Sequence, residues 1–276
     1  MILWWIASSG FAMLFGFVLG FFEWKQIGAV PKFIWFDNFI AFFSDESYLQ
    51  DLWRTIWLGV STTMLSVIFG FLAALFMNLP LKGKGVFRSL WYLPAVTSSV
   101  AVTQILGIFL DPINGYINNL LISFGQEPIV LSSSLFWSVV MILLYSVWKN
   151  VGGTALVWLA GLQSIDPALY EAAEVDGAGR WKKFLHVTLP GLRPIATYVI
   201  ITHIIGALQI YESVAFISNG GPFGQTNVLA LRIIQDGFFN FNFGMAGASS
   251  MVLAVIIFVS SLTYYKLSRR GLKEEI

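Results

Sequence analysis

Long apolar runs separated by short polar stretches dominate the pattern along this chain. Six of them, residues 1–22, 53–77, 90–110, 135–162, 195–217 and 243–267, are each long enough to cross a membrane. A hydrocarbon layer of about 30 Å takes roughly 20 helical residues. Within each run the apolar positions are continuous. They do not alternate in the ten-residue segments of a membrane barrel. The pattern predicts an all-α, polytopic membrane protein of six transmembrane helices, forming a single domain over residues 1–276. The first run is read as a span and not as a signal peptide, because it lacks a basic leader and a small-residue cleavage site.

Charge fixes the expected orientation. Lys82, Lys84 and Arg88 lie between the second and third runs, and Arg180, Lys182, Lys183 and Arg193 between the fourth and fifth. Lys266, Arg269, Arg270 and Lys273 follow or close the sixth, so eleven of the 16 basic residues share one side. The opposite side holds Lys25, Lys32 and Arg232, with Arg54 at a run end. Positive charge accumulates on the cytoplasmic side, so both termini are expected in the cytoplasm. Trp4, Trp5, Trp24, Trp53, Trp57, Trp91 and Trp137 fall near run ends, where indole rings favour the interface. The outer segments 111–134 and 218–242 carry Gly, Asn and Pro yet stay apolar enough to hold short interfacial or re-entrant helices.

Composition narrows the function. The chain is 57% hydrophobic and 11% charged, against about 25% charged in ordinary soluble domains. A net charge of +1 leaves no basic stripe for nucleic acid. Cysteine is absent, which excludes thiol chemistry, and two histidines, His186 and His203, are too few for a His-rich metal site. The phosphate-binding pattern G-x4-G-K-[S/T] is missing too, since Lys82-Gly83-Lys84-Gly85 has neither its spacing nor its hydroxyl. With no HExxH and no paired intramembrane carboxylates, the chain reads as no enzyme, and any ATP-derived energy must enter through a partner.

The segment after the fourth run, residues 163–194, is the most informative. Asp166-Pro167 is a helix start: Asp caps free N–H groups and Pro suits the first helical position. Residues 168–175 are good helix formers, and Gly177 is placed to stop them. A second amphipathic piece, 180–189, is expected to end at Pro190. The result is a small, rigid, charged knob projecting from the bilayer.

This knob resembles the EAA motif of ABC-importer permeases, EAA-x3-G-x9-I-x-LP. Glu171-Ala172-Ala173 matches the triplet, Gly177 follows, and Leu189-Pro190 closes the motif, with Val187 standing where the family has isoleucine. Ser218-Asn219-Gly220-Gly221-Pro222 with Thr226, Phe36-Asp37-Asn38-Phe39 and Trp158-Leu159-Ala160-Gly161-Leu162-Gln163 are similar to oligosaccharide permeases of the same family. The resemblance implies a type I ABC-importer permease architecture in a bacterial inner membrane. It implies ATPase coupling through Glu171, Ala172, Ala173, Asp176, Gly177, Leu189 and Pro190. The implied partners are a second homologous permease subunit completing a heterodimer, two ATP-binding subunits that use ATP and Mg, and an extracytoplasmic solute-binding protein. Asn219, Gly220, Gly221 and Pro222 would contact that binding protein. This chain itself would bind no cofactor and no metal.

Polar groups inside the runs are expensive in lipid, so each must face protein or water. Gln209, Glu212, Tyr145, Trp148, Lys149 and Gln104 are candidates for an oligosaccharide pathway: amides and carboxylates bond hydroxyls, and aromatic faces cover sugar C–H surfaces. A structural interhelical bond is the competing reading for each. His203 is read as a packing residue. The alternative function is an ATP-independent secondary transporter or channel for a small polar solute, which would leave the EAA-like loop unexplained.

Overall fold

The structure is a computed structural model that describes residues 10–26, 28–79 and 83–273. Residues 1–9 of the first predicted span, with Trp4 and Trp5, and the basic residue Lys82 lie outside the described residues. Helix α1 (Phe11–Leu19) leads into two two-residue strands, β1 (Phe22–Glu23) and β2 (Lys32–Phe33), paired antiparallel. Then come α2 (Asp37–Ser44), α3 (Glu46–Asn78), α4 (Lys84–Val96), α5 (Ser99–Phe109), α6 (Tyr116–Ser123) and α7 (Leu135–Ser164). The knob is α8 (Pro167–Val175), α9 (Arg180–Lys183) and α10 (Leu189–Gly191). It is followed by α11 (Arg193–Leu208), α12 (Glu212–Ile217), α13 (Leu229–Ile234) and α14 (Phe243–Lys273).

Among the described residues, three helices are long and apolar enough to cross a membrane alone, and up to five spans result if each of two bent pairs counts as one. The bends correct the sequence reading, which has runs 90–110 and 195–217 continuous. In the first, Gly85–Val96 and Ser99–Phe109 meet at 89°. Thr97 turns extended there, and its hydroxyl bonds the Pro94 carbonyl at 2.7 Å, competing with the helical ladder. In the second, α11 stops at Leu208 and a new helix starts at Glu212, with the Ala215 N–H donating to the Tyr211 carbonyl. Gly206 weakens the helix just ahead of that stop. A third correction concerns Pro190, which does not end the second knob helix. Residues 184–188 form a π-turn, so the helix runs on to Gly191 and bends by 61° before α11.

The apolar surface is that of a bilayer protein. Along α3, Trp53, Val60, Met64, Ile68, Leu72 and Phe76 are exposed, while Thr55, Leu58, Thr62, Ser66, Ala73 and Met77 on the other side are buried. In water such a stripe would drive aggregation; against lipid it costs nothing.

The chain forms two compact units. The first comprises Met1–Gly59, Thr103–Ile142 and Leu208–Ser260. Its core gathers Phe42, Tyr48, Leu229, Met245 and Leu253. Two buried asparagines organise its connections. The Asn38 amide donates to the carbonyls of Gly20 and Phe22, both at 2.9 Å, which fixes the turn after α1. Asn118 on α6 donates to the carbonyls of Leu110, Asp111 and Ile129 and accepts from the Ile129 N–H, stitching segment 110–129 together.

The second unit comprises Val60–Val102, Leu143–Ala207 and Ser261–Ile276. Ala73, Ala74 and Met77 pack there against Ala155, Trp158, Leu159 and Leu162, joined by Ile165, Leu192 and Val199. Small residues let these helices approach without a hydrophobic drive. At Gly152 a β-carbon would lie 1.9 Å from the Trp91 carbonyl oxygen, so only glycine fits that crossing. Thr154 Oγ1 lies 2.7 Å from His203 Nε2, which gives the half-buried imidazole an interhelical partner.

Candidate functional site

The knob is built from its caps inward. The Asp166 carboxylate accepts from the Ala168 N–H at 2.9 Å, and Pro167 takes the position where no N–H is needed. At the other end Gly177 adopts φ 74°, the left-handed conformation that β-carbons disfavour. The Ala178 N–H reaches the Ala173 carbonyl at 2.8 Å and the Gly177 N–H the Glu174 carbonyl at 3.0 Å, a complete Schellman stop. Glu171, Ala172 and Asp176 are exposed and Ala173 half-buried, so α8 presents an acidic, small-residue face.

The second half of the knob ties it down. Lys183 donates to the Glu174 carboxylate at 2.9 Å and holds that carboxyl below its ordinary range. The Tyr170 hydroxyl lies 3.0 Å from Thr188 Oγ1, and Tyr170 and Val187 pack on the second unit's core. Trp181 stacks on Phe184 with ring centroids 5.6 Å apart; Phe184 sits 6.3 Å from Phe71, and Phe71 sits 5.1 Å from Trp158. Leu189 remains exposed and Pro190 half-buried at the knob's return. The knob is therefore not a loose loop. A continuous aromatic chain joins it to the helices of its own unit.

The candidate pathway residues divide between the units. Tyr145, Trp148 and Lys149 lie in the second, while Gln104, Gln209 and Glu212 lie in the first. Tyr145 is buried, and its hydroxyl has no hydrogen-bond partner among the described residues. Trp148 is exposed, its ring 6.4 Å from that of Tyr145. Lys149 donates to the Thr97 carbonyl at 3.2 Å and to Ser99 Oγ, so its ammonium seats the bend between α4 and α5. Gln104 and Gln209 are exposed; Gln209 lies in the unwound stretch after α11, and Glu212 opens α12 with its side chain exposed. Unwound backbone at membrane depth is tolerated only where protein or water satisfies it.

In segment 218–242, Asn219 and Gly220 both have positive φ, and the Gly221–Pro222 bond is cis. The Thr226 hydroxyl donates to the Gly221 carbonyl at 2.5 Å and also meets Ser218 Oγ at 2.8 Å. Asn219 is exposed, Gly220 and Pro222 are buried, and Phe223 beside them is almost wholly exposed. Sequence reasoning missed what holds this loop: Tyr48, Asp51, Arg54 and Thr55 at the start of α3. Their spacing, three to four residues apart on one face, is a signal the sequence did carry.

The chain is similar to the lactose transport system permease protein LacF of Rhizobium radiobacter, 32% identical over 248 residues, covering 88% of this chain and 83% of that protein. It is similar to the arabinooligosaccharides transport system permease protein AraP of Bacillus subtilis (strain 168), 32% identical over 240 residues, covering 86% and 76%. Among solved structures it is similar to a bacterial alginate ABC transporter in complex with an alginate pentasaccharide-bound periplasmic protein. There the TM-score is 0.83 and the identity 26%, over 98% of this chain and 91% of that one. Residues 66–271, which take in the knob, the broken helices and segment 218–242, match the family described as binding-protein-dependent transport system inner membrane component, and the chain is a membrane-embedded permease of that family.

Proposed function

We propose that this chain forms half of the translocation pathway of an ATP-driven importer for an oligosaccharide, acting as one permease domain. ATP is hydrolysed in separate subunits, which use Mg, and a second homologous permease completes the heterodimer. Both termini face the cytoplasm, and the knob of residues 163–194 docks on an ATPase subunit. Glu171, Ala172, Ala173, Asp176, Gly177, Leu189 and Pro190 form the docking surface. Closure of the ATPase pair pulls the knobs together, and the permease switches between inward- and outward-facing states as a rigid-body transition. Gln209, Glu212, Tyr145, Trp148, Lys149 and Gln104 are the candidate sugar contacts, and residues 219–222 receive the solute-binding protein.

The observation that carries this reading is the construction of the knob. A helix capped at both ends, bolted by Tyr170 and Phe184 to the bundle, transmits force; a frayed loop would not. The oligosaccharide class draws support from the similar lactose and arabinooligosaccharide permeases and from the pentasaccharide in the similar alginate complex.

The test is Glu171→Lys in the complete transporter. Uptake of radiolabelled oligosaccharide into vesicles should vanish and the ATPase subunit should no longer co-purify, while the variant remains in the membrane. Normal uptake with normal co-purification would remove the coupling role. A panel of oligosaccharides in the same vesicles identifies the substrate.

A further inference from the structure

Ser47, Tyr48, Asp51, Arg54 and Thr55 lie on one face at the start of α3, spaced as helical neighbours are. Every one of them holds the segment between residues 224 and 236. Arg232 Nη2 donates to Ser47 Oγ at 2.5 Å, and the Tyr48 hydroxyl donates to the Asp236 carboxylate at 2.7 Å. The Asp51 carboxylate accepts from Asn227 Nδ2 and from Arg54 Nη1, both at 2.9 Å, with Arg232 Nε 3.8 Å away. Arg54 Nη1 also donates to the Gly224 carbonyl at 2.8 Å, and Thr55 Oγ1 accepts from the Leu229 N–H at 2.8 Å. The Arg232 guanidinium lies over the Tyr48 ring, 4.4 Å from its centroid.

Two carboxylates and two guanidiniums are thus gathered in one neutral cluster, with Asp51 only 2% exposed. Well-packed apolar residues would stabilise the fold as well or better. What the charges supply is a fixed register between the loop and the helix. The loop needs it: Phe223 is 96% exposed and holds φ 49°, a left-handed conformation that a bulky side chain disfavours. The bond from Arg54 lands on Gly224, the residue immediately after that strained tip.

We propose that Asp51 is a positioning residue for docking of the solute-binding protein. It holds Arg54, Asn227 and Arg232 in register, so that the tip of residues 219–224 meets its partner already ordered. This rests on the reading that the 219–222 loop receives that protein. Preordering lowers the cost of association without adding a contact.

The test titrates purified, substrate-loaded solute-binding protein against the complete transporter in proteoliposomes and follows ATP hydrolysis. For Asp51→Asn the half-saturating concentration should rise by about tenfold, the scale of one charge-assisted hydrogen bond, while the maximal rate stays within about twofold. Arg54→Gln, which spares the Asp51–Asn227 bond, should show the same split, and it decides the matter if Asp51→Asn does not assemble. Phe223→Ala should raise the half-saturating concentration directly. If Phe223→Ala raises it and neither positioning variant does, the positioning role is overturned and the docking reading stands. If Phe223→Ala and Asn219→Ala both leave it unchanged, the docking reading falls and takes this proposal with it. A lowered maximal rate at an unchanged half-saturating concentration marks a merely structural cluster and also overturns the proposal.

Discussion

Removing the cap of α8 gives a local perturbation whose size can be worked out. The Asp166 carboxylate satisfies one of the helix's free N–H groups, that of Ala168, at 2.9 Å. Replacing an N-cap Asp by Ala costs about 1 kcal/mol, whereas Asn caps about as well as Asp. The helix has 9 residues, and isolated helices shorter than about 12 residues are marginal in water, so it has little reserve of its own. About 1 kcal/mol multiplies the local opening constant by roughly five. Amide hydrogen exchange followed by mass spectrometry on the assembled transporter should therefore show the peptide spanning residues 168–175 exchanging roughly five times faster in Asp166→Ala. Asp166→Asn should stay near the parent, and peptides from α3 and α14 should not change. Uptake should fall less than about twofold, because the knob would still be formed most of the time. Unchanged exchange in Asp166→Ala, or equal acceleration in Asp166→Asn, would show that the cap does not hold this helix.

Four further outcomes follow from the same geometry. Lys183 holds the Glu174 carboxyl below its ordinary range, so this pair stabilises the knob above that range and is lost as pH falls through the lowered folded value. Protection of residues 174–183, taken relative to the intrinsic exchange rate at each pH, should fall slightly on acidification, and Glu174→Gln should flatten that dependence. Lys149→Met leaves the Thr97 carbonyl without its ammonium donor and should lower stability by about 1–3 kcal/mol, read as a reduced thermal midpoint in detergent, with Lys149→Arg intermediate. Gly152→Ala drives a β-carbon to 1.9 Å from the Trp91 oxygen and should cost about 1–3 kcal/mol in the same assay; an unchanged midpoint would refute the close crossing. Phe184→Ala should lower uptake markedly while leaving exchange within residues 168–172 unchanged, because it removes the ring contact with Phe71, leaving only the Tyr170 and Val187 packing, without touching the caps of α8.

The sequence made the long helices and the knob legible because their signals are local. Apolar runs, Asp-Pro at a helix start and Gly at its end act through neighbouring residues. The two bends were illegible for the opposite reason. Thr97 can leave the helix because Lys149, 52 residues away, accepts the burden of its carbonyl. Pro94 and the Thr97 hydroxyl are local signals of a break, but nothing near Thr97 announces the lysine that makes it tolerable. The cluster around Asp51 was missed in the same way. Counting charges for orientation reads Arg54 and Arg232 as loop and run-end cations; the Arg54–Asp51 and Arg232–Asp236 pairs are helical neighbours, but the bonds that join the two pairs into one cluster close the chain across 170 residues or more. The candidate pathway shows the same limit: the apolar run 195–217 predicts a continuous helix through Gln209, whereas Gln209 sits in unwound chain.

The contacts of the knob differ in kind, and the difference decides what makes it a lever. The Lys183–Glu174 pair is set on the surface, where such pairs contribute little. The Asp166 cap governs only the first turn of α8. Neither can carry a load from the knob to the bundle. The packing of Tyr170 and Val187 on the Trp158–Leu162 core, and the ring contacts from Trp181 through Phe184 to Phe71, join different elements, and close-packed interiors transmit displacement with little compression. The proposed coupling to a separate ATPase needs stiffness at this junction more than stability at the tip. In the proposed function the charges on the tip have a separate task, recognition of the ATPase surface, and variants of Phe184 and Glu171 separate the two: the first should leave the ATPase bound but ineffective, the second should leave it unbound.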